Sequence, residues 1–297
     1  MSSLKKYYRK PKLYIELPSG MHFYPEGFIN VDGISANNEV GIMPMTTMND
    51  LMLKNPESLI NGSAIENLIK DSTTLSDVNV KKMIKSDVDS LLVAIKIASE
   101  GSIDETELTC PNPECKHEQT YARDLKAVLA DVKPHDSEYT VTHENIAGLT
   151  VYLRPASFQD ALTLDAHSFE EQKKISQIRK DLNKMVNEKE IEEEDEVKFL
   201  SSIHEIFRDL TINTMDVYAN CIEKVVTDEG EVVDDHDEIL EWLRQLDNSS
   251  FETIRDKLGE INSRGVRNEE TIKCVECEYE WTQPFDTNPT DFFGTGS

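Results

Sequence analysis

Four cysteines stand in two close pairs at distant places in the chain. Cys110 and Cys115 have four residues between them, whereas Cys274 and Cys277 have two. A tight turn presents two thiolates from one segment, and two such turns supply the four tetrahedral ligands of a structural Zn²⁺. The spacing therefore predicts one zinc site with all four cysteines as ligands. Because four sulfur ligands leave no open coordination position, this zinc would be structural and not catalytic.

Other interpretations of the cysteines remain open at the level of sequence. Reduced free thiols, or one disulfide within each pair, are compatible with the same spacing. Cys274 and Cys277 also match a redox pair, but no βαβ pattern surrounds them. His117 is an alternative ligand, because it follows Cys115 by two residues. The fifth cysteine, Cys221, lies on an apolar face and is expected to be a small buried hydrophobic residue.

The segments around both pairs have the character of short hairpins. Residues 108–109 and 119–121 flank the first pair, and residues 272–273 and 279–281 flank the second. Each pair would then lie in the turn between two strands. This layout predicts a zinc-ribbon-like site that is assembled from two knuckles far apart in sequence.

The rest of the chain is typical of an α+β protein that is mainly helical, with short β-hairpins. Four pairs of polar residues have the spacing of helix N-terminal caps: Thr47 with Asp50, Ser63 with Glu66, Ser86 with Asp89, and Ser249 with Glu252. From about residue 158 to residue 261 we expect mostly helix. Its apolar face would comprise Leu200, Ile203, Phe207, Leu210, Tyr218, Cys221 and Val225.

Two segments share an order that indicates an internal duplication. Residues 40–46 and residues 151–157 each contain a short strand, a proline and then a hydroxyl residue. The proline ends the strand, and the hydroxyl of Thr46 or Ser157 can cap the helix that follows. Each helical region then ends at a cysteine pair. A chance match of a common local pattern is the alternative.

The duplication leads to a predicted division of the chain into a tail and two repeats. Residues 1–13 form the N-terminal tail, and residues 14–133 form repeat one, with a β-hairpin, helices and the first cysteine knuckle. Residues 134–297 form repeat two, with strands, the second knuckle and a C-terminal tail. Repeat two is longer because an acidic helical region, about 165–248, is inserted. The zinc site would join the two repeats.

The charge of the chain excludes several classes of partner. Its 297 residues include 31 basic and 57 acidic ones, for a net charge of −26. Nucleic-acid binding and binding to anionic membranes both need a surplus of Lys and Arg, so we expect neither. Residues 188–196 carry seven acids, and residues 228–241 carry eight acids with no Lys or Arg. Such runs are usually solvated surfaces, and a docking surface for a basic partner is the alternative.

No sequence motif indicates an enzyme. The phosphate-binding loop, the dinucleotide fingerprint, the zinc-protease motif and the nucleophile elbow are all missing, and the seven histidines are scattered. We therefore expect no active site and no small-molecule substrate. No apolar run approaches the ~20 residues that span a bilayer. The first ten residues have no apolar stretch behind their basic residues, so we expect no secretory signal and synthesis in the cytoplasm.

Several motifs follow one another along the chain: residues 16–20 (Glu-Leu-Pro-Ser-Gly) with Phe23 and Tyr24, residues 43–46 (Met-Pro-Met-Thr), residues 53–65, residues 87–96, and residues 285–293. In this order they resemble segments of the baseplate hub proteins of T-even-type contractile-tailed bacteriophages. The sequence departs from the family pattern in three places. Gly20 follows Ser19 without a basic residue between them, Met21 replaces another residue type, and the loop from Cys110 to Cys115 is longer than C-x2-C.

The resemblance implies a structural or assembly component of a phage tail. The expected role is that of a non-enzymatic scaffold in the virion's tail baseplate, made in the host cytoplasm. Its partners would be other baseplate hub proteins and the tape-measure protein. A transient assembly chaperone, absent from the mature virion, is the second hypothesis. A metal enzyme with an open site and a nucleic-acid-binding zinc ribbon are further alternatives, the latter disfavoured by the Lys/Arg deficit.

Overall fold

The protein has an α+β architecture, as the sequence predicts, with helices and short antiparallel sheets. The computed structural model describes residues 4, 7–29, 35, 37–75, 77–142, 146, 148–188, 214–285, 287 and 292–293. None of the helices described there is both long and apolar enough to cross a membrane. The predicted apolar positions from Leu200 to Leu210, and nearly all of the acidic stretch 188–196, lie outside these ranges.

The strands are short and the helices vary widely in length. The strands are β1 (Leu13–Glu16), β2 (Glu39–Ile42), β3 (Ile103–Thr109), β4 (Glu118–Asp124), β5 (Tyr139–Thr142), β6 (Thr150–Leu153), β7 (Ile222–Val226), β8 (Val232–Val233), β9 (Glu269–Lys273) and β10 (Glu280–Pro284). The helices are α1 (Thr47–Leu53), α2 (Pro56–Ile60), α3 (Ser63–Ser72), α4 (Lys85–Glu100), α5 (Leu125–Ala130), α6 (Phe158–Glu188), α7 (His236–Gln245) and α8 (Asn248–Asn262). Residues 214–220 are also helical.

The chain divides into two compact units that differ from the predicted repeats. Unit 1 consists of Met1–Ser137 and Gly259–Ser297, and unit 2 consists of Glu138–Leu258. Both cysteine pairs therefore belong to unit 1. The two repeats and the insertion at about 165–248 stay a prediction.

The central element of unit 1 is α4, which is buried on nearly every side. Eleven of its residues are buried, among them Leu91, Leu92, Val93, Ala94 and Ile95 in succession. A helix that is apolar all round is surrounded by other elements. Here α3, α5, β1 and β2 pack against it. The three two-stranded sheets of this unit are β1–β2, β3–β4 and β9–β10.

In the part that the structure describes, unit 2 contains an antiparallel sheet in the order β5-β6-β7-β8. Val225 was expected on a helix, and this prediction is wrong. It lies in β7 opposite Val151 of β6, where a β-branched side chain packs well against a neighbouring strand. Cys221 is buried, as the sequence predicts. It follows the helical residues 214–220 directly.

The hydroxyl caps expected after the two prolines are confirmed. Thr46 caps α1 in a reciprocal box with Asn49. Ser157 forms the corresponding pair before α6, because its Oγ accepts from the backbone N–H of Asp160 at 3.2 Å and its own N–H donates to the Asp160 carboxylate at 2.9 Å. The segments after β2 and β6 thus share one local conformation. Local pairing of this kind needs only neighbours in sequence, so the sequence shows it.

The other predicted caps are wrong. The cap that Thr47 and Asp50 would form lies one residue earlier, at Thr46. The other three predicted caps are not at the cap positions either. Gly62 precedes α3 and Ile84 precedes α4, and neither makes a side-chain capping bond. At the start of α8 the cap is Asp247, whose carboxylate accepts the N–H groups of Ser249 and Ser250. Ser86 is diverted to a tertiary contact, since its Oγ lies 2.9 Å from Nε2 of His135.

Asp87, in the first turn of α4, is hydrogen-bonded to the turn that follows β1. Its buried carboxylate accepts the N–H of Ser19 at 2.8 Å, the Oγ–H of Ser19 at 2.6 Å and the phenol of Tyr24 at 2.6 Å. Tyr24 Oη in turn accepts the N–H of Ile84 at 2.9 Å. Burial raises the pKa of Asp87 to about 6. Two of the motif segments in the sequence, 16–24 and 87–96, are therefore joined by this one side chain.

We expect the pH dependence of stability to change when Asp87 is replaced by Asn. The folded state binds the Asp87 proton more tightly than the unfolded chain does, so protonation stabilises the wild type as the pH falls through 6. That gain is complete below the unfolded pKa near ~4. The difference in unfolding free energy between wild type and Asp87→Asn should therefore grow by about 1 kcal/mol from pH 7 to pH 5 in urea denaturation.

The comparison isolates this carboxyl because both proteins share all other titrating groups. Asp228→Asn removes an exposed carboxylate from unit 2 and serves as the control. A difference between wild type and Asp87→Asn that stays constant over this pH range would contradict the assignment.

Candidate metal centre

Each cysteine pair lies at the tip of an antiparallel hairpin. In the first hairpin, β3 and β4 pair up to Thr109 opposite Glu118, and the N–H of Cys110 then donates to the carbonyl of His117 at 2.8 Å. In the second, the N–H of Cys274 donates to the carbonyl of Tyr279 at 2.9 Å beyond the β9–β10 ladder. Both hairpins thus close with the same hydrogen bond, formed by the first cysteine of the pair. The predicted hairpin setting of the cysteines is confirmed.

The two turns also share a left-handed residue directly after their second cysteine. Lys116 follows Cys115 with φ of 50°, and Glu278 follows Cys277 with φ of 58°. Non-glycine residues adopt this region rarely, and a surrounding structure must hold them there. The reversal that it produces brings the second cysteine back beside the first. Two turns of different length therefore present their thiols in the same way.

The four thiols come together in one cluster, and their spacing fits a tetrahedral metal site. All four Sγ atoms lie within 4.8 Å of one another. Sγ of Cys110 is 3.7 Å from Sγ of Cys277, and Sγ of Cys115 is 3.9 Å from Sγ of Cys274. A tetrahedron with Zn–S bonds of ~2.3 Å has sulfur–sulfur edges of ~3.8 Å. The donor set therefore fits a tetrahedral metal ion, and both of these distances join one hairpin to the other.

The ionised form of the four thiols would be stabilised by a cation placed between the sulfurs. Hydrogen bonds from backbone N–H groups, that of Cys277 first, lower the pKa of the Cys274 thiol to about 6. Burial raises the pKa of the Cys110 thiol. The N–H of His117 favours the thiolate of Cys115, but burial and the neighbouring sulfurs outweigh it and raise that pKa to about 12. Four sulfurs this close repel one another as thiolates, and a divalent cation removes that repulsion.

The other candidate ligands are not part of the cluster. His117 contributes its backbone to the first turn, and its imidazole is not among the grouped donors. Cys221 also stays outside the cluster, and burial raises the pKa of its thiol to about 12. Within the described residues all five cysteines are free thiols. The sulfur set is therefore the one that the spacing of the pairs predicts.

Two amide side chains support the cluster, and no sequence pattern predicted either of them. Gln119 is buried on β4 and holds the second hairpin, because its Nε2 donates to the carbonyl of Lys273 at 3.2 Å and its Oε1 accepts the N–H of Val275 at 3.0 Å. These two groups bracket Cys274. Asn112 points its Nδ2 at Sγ of Cys277 at 3.8 Å. In sequence both amides look like ordinary polar residues of a surface hairpin.

A buried ionic network ties both hairpins to α4. Arg123 donates from Nε to Glu270 at 2.7 Å and from Nη1 to Asp104 at 2.8 Å, and Lys96 Nζ lies 2.9 Å from Asp104. These four side chains are only between 2 % and 9 % exposed. The Arg123 guanidinium also lies 4.5 Å from the ring centroid of Phe285. The network joins β3, β4, β9 and α4, so it sets the position from which the cysteine turns extend.

Unit 2 carries a separate, strongly acidic surface. The eight acids of residues 228–241 are all exposed, and Val232 among them is 56 % exposed. They lie in the β7–β8 turn, after β8 and on the exposed side of α7. Their exposure fits both interpretations of the stretch, a solvated surface and a docking surface for a basic partner.

Comparison with known proteins identifies one family. The family model described as T4 bacteriophage base plate protein matches residues 36–294, which is most of the chain and includes both cysteine pairs. No curated protein matches significantly, and no solved structure does either.

We expect Gln119→Ala to destabilise the protein by about 1 kcal/mol, because it removes two part-buried hydrogen bonds, one to the carbonyl of Lys273 and one from the N–H of Val275. Urea denaturation of protein purified in parallel measures the change. Thr120→Ala is the matched control, since Thr120 is the next residue on β4 and its hydroxyl bonds only to Glu107 at the surface. Equal effects of the two substitutions would contradict a supporting role for Gln119.

Proposed function

The chain belongs to the family of T4 bacteriophage base plate proteins, and from this premise we propose that it is a non-enzymatic subunit of the baseplate hub. Its role is that of a scaffold whose shape is fixed by one structural Zn²⁺. The observation that carries this proposal is the cluster of four sulfurs, spaced as a tetrahedral site requires. The order of hub-like motifs in the sequence supports the assignment to the hub.

In this proposal Cys110, Cys115, Cys274 and Cys277 hold the zinc ion. When bound, the ion supplies a fixed point between segments that are 167 residues apart in sequence. The backbone N–H groups and the Asn112 amide that face the sulfurs stabilise them as ligands. Four protein ligands close the coordination shell, which is the arrangement of structural and not of catalytic sites. This supports the absence of enzymatic activity.

The proposed partners are other hub proteins and the tape-measure protein. Support comes from the charge of the molecule, because the exposed acids of residues 228–241 attract a basic partner segment. The same charge disfavours nucleic acid as a partner. We place the protein in the tail baseplate of the virion, after its synthesis in the host cytoplasm. The alternative is an assembly chaperone, since an acidic surface also keeps a basic segment soluble.

The metal proposal predicts one zinc ion per chain, lost when a ligand is lost. Cys115→Ser should abolish stoichiometric zinc in elemental analysis and lower the Tm by about 10 °C, because structural zinc contributes directly to folding. Cys221→Ala is the control, since this thiol is outside the cluster. Protein that is zinc-free at full stability, or zinc content indifferent to Cys115, would refute the metal site and leave the family assignment intact.

The place of the protein is tested on purified phage particles. Quantitative mass spectrometry of gradient-banded virions should find a fixed, small number of copies that fits the symmetry of the tail. Its absence from virions, together with its recovery from infected cells bound to a hub or tape-measure protein, would replace the virion subunit with the chaperone.

A further inference from the structure

One edge of β1 has no strand beside it within the described residues. β1 pairs antiparallel with β2, from Leu13 opposite Ile42 to Glu16 opposite Glu39, and the two strands form a sheet of their own. An unpaired edge presents a row of N–H and C=O groups to another chain. We call this side of Leu13–Glu16 the free edge.

A groove of about 900 Å³ runs beside the free edge. Every residue from Lys12 to Pro18 lines it, together with the C-terminal turn of α4 and one side of α5. Side chains alternate between the two faces of a strand. Consecutive residues therefore line one groove only where the groove follows the strand's edge. An added strand has room there, next to the backbone of β1.

The sequence along this edge is complementary to itself. Lys12, Tyr14 and Glu16 are exposed, and Leu13 and Ile15, which alternate with them, are half-buried. An antiparallel copy centred on Tyr14 places Lys12 opposite Glu16 twice, once at each end. Leu13 then lies opposite Ile15 on the half-buried face. Opposite charges and matched apolar residues directly across two strands stabilise the pair.

The charge of the N-terminal segment selects the antiparallel direction. The first twelve residues contain five cations, Lys5, Lys6, Arg9, Lys10 and Lys12, and no acid. Parallel pairing would bring two such segments side by side, with repulsion between them. Antiparallel pairing sends them to opposite ends of the contact.

We propose that two copies of this chain pair antiparallel through their free edges, with Lys12 of each copy opposite Glu16 of the other. This contact uses the same surface on both copies, so it closes as a two-fold dimer with a four-stranded sheet. Lys12 Nζ already donates to the carbonyl of Ala98 at 2.8 Å, and the ammonium has two further donors for Glu16. The free edge contains none of the four clustered cysteines.

Charge-swap variants of the full-length chain test the interface. Five paired residues bury less than the ~1,600 Å² of a standard interface, so we expect a dimer with a Kd of ~10–100 µM in sedimentation equilibrium. Lys12→Glu and Glu16→Lys each place like charges opposite one another twice. Each should weaken the dimer by about 10-fold or more. The double variant K12E/E16K restores opposite charges at both ends and should dimerise nearly as well as the wild type.

The double variant also guards against misfolding, because it contains both substitutions of the single variants. Lys82→Glu makes the same charge change at an exposed site outside the groove and is the control. In the wild type, amide hydrogen exchange of Leu13–Glu16 should slow as the protein concentration rises. A wild type that stays monomeric, a dimer indifferent to the single reversals, or a double variant weaker than both singles would each overturn the proposal.

Discussion

The helix α4 is buried on nearly every side, so its polar side chains must find their partners inside the protein. The rest of unit 1 is arranged to provide those partners. Near its N-terminus the carboxylate of Asp87 takes three hydrogen bonds from the turn after β1. Near its C-terminus Lys96 requires Asp104, which in turn shares Arg123 with Glu270. An unpaired buried charge costs several kcal/mol. The elements around α4 are therefore held in place by polar contacts as well as by apolar packing.

The cysteine cluster depends indirectly on this arrangement. Arg123 lies on β4 and Glu270 on β9, so their ion pair fixes the two hairpins side by side. The cysteine turns extend from the ends of these hairpins, and Gln119 completes the alignment close to Cys274. The sulfurs reach tetrahedral spacing because the strands beneath them are already positioned. A metal ion would then lock an arrangement that the buried network has prepared, which is how supporting contacts orient ligands in other metal sites.

This organisation suits a component of a large assembly. A scaffold has to present surfaces in a fixed relation while it binds neighbours, and a metal ion at the cysteine cluster would hold the two hairpins against local opening. The surfaces differ in chemistry: unit 2 exposes the acids of residues 228–241, and unit 1 exposes the free edge of β1 beside a basic N-terminal segment. In general, acidic surfaces attract basic segments by charge, and unpaired strand edges attract other chains by backbone pairing. Membership in the base plate family is consistent with such a role.

The sequence by itself determined those features that depend on neighbouring residues. The spacing of the cysteines predicted which four thiols form one cluster, and the caps Thr46 and Ser157 could be predicted because each bonds to a residue three positions later. Only the tertiary structure decided that Sγ of Cys110 lies 3.7 Å from Sγ of Cys277, why Ser86 turns to His135 instead of capping α4, and why Val225 joins a sheet. It also revealed Gln119, Arg123 and Glu270, whose polar side chains resemble those of a surface strand. Their burial follows from contacts across about 150 residues, and no local pattern encodes the cost of leaving such groups unpaired.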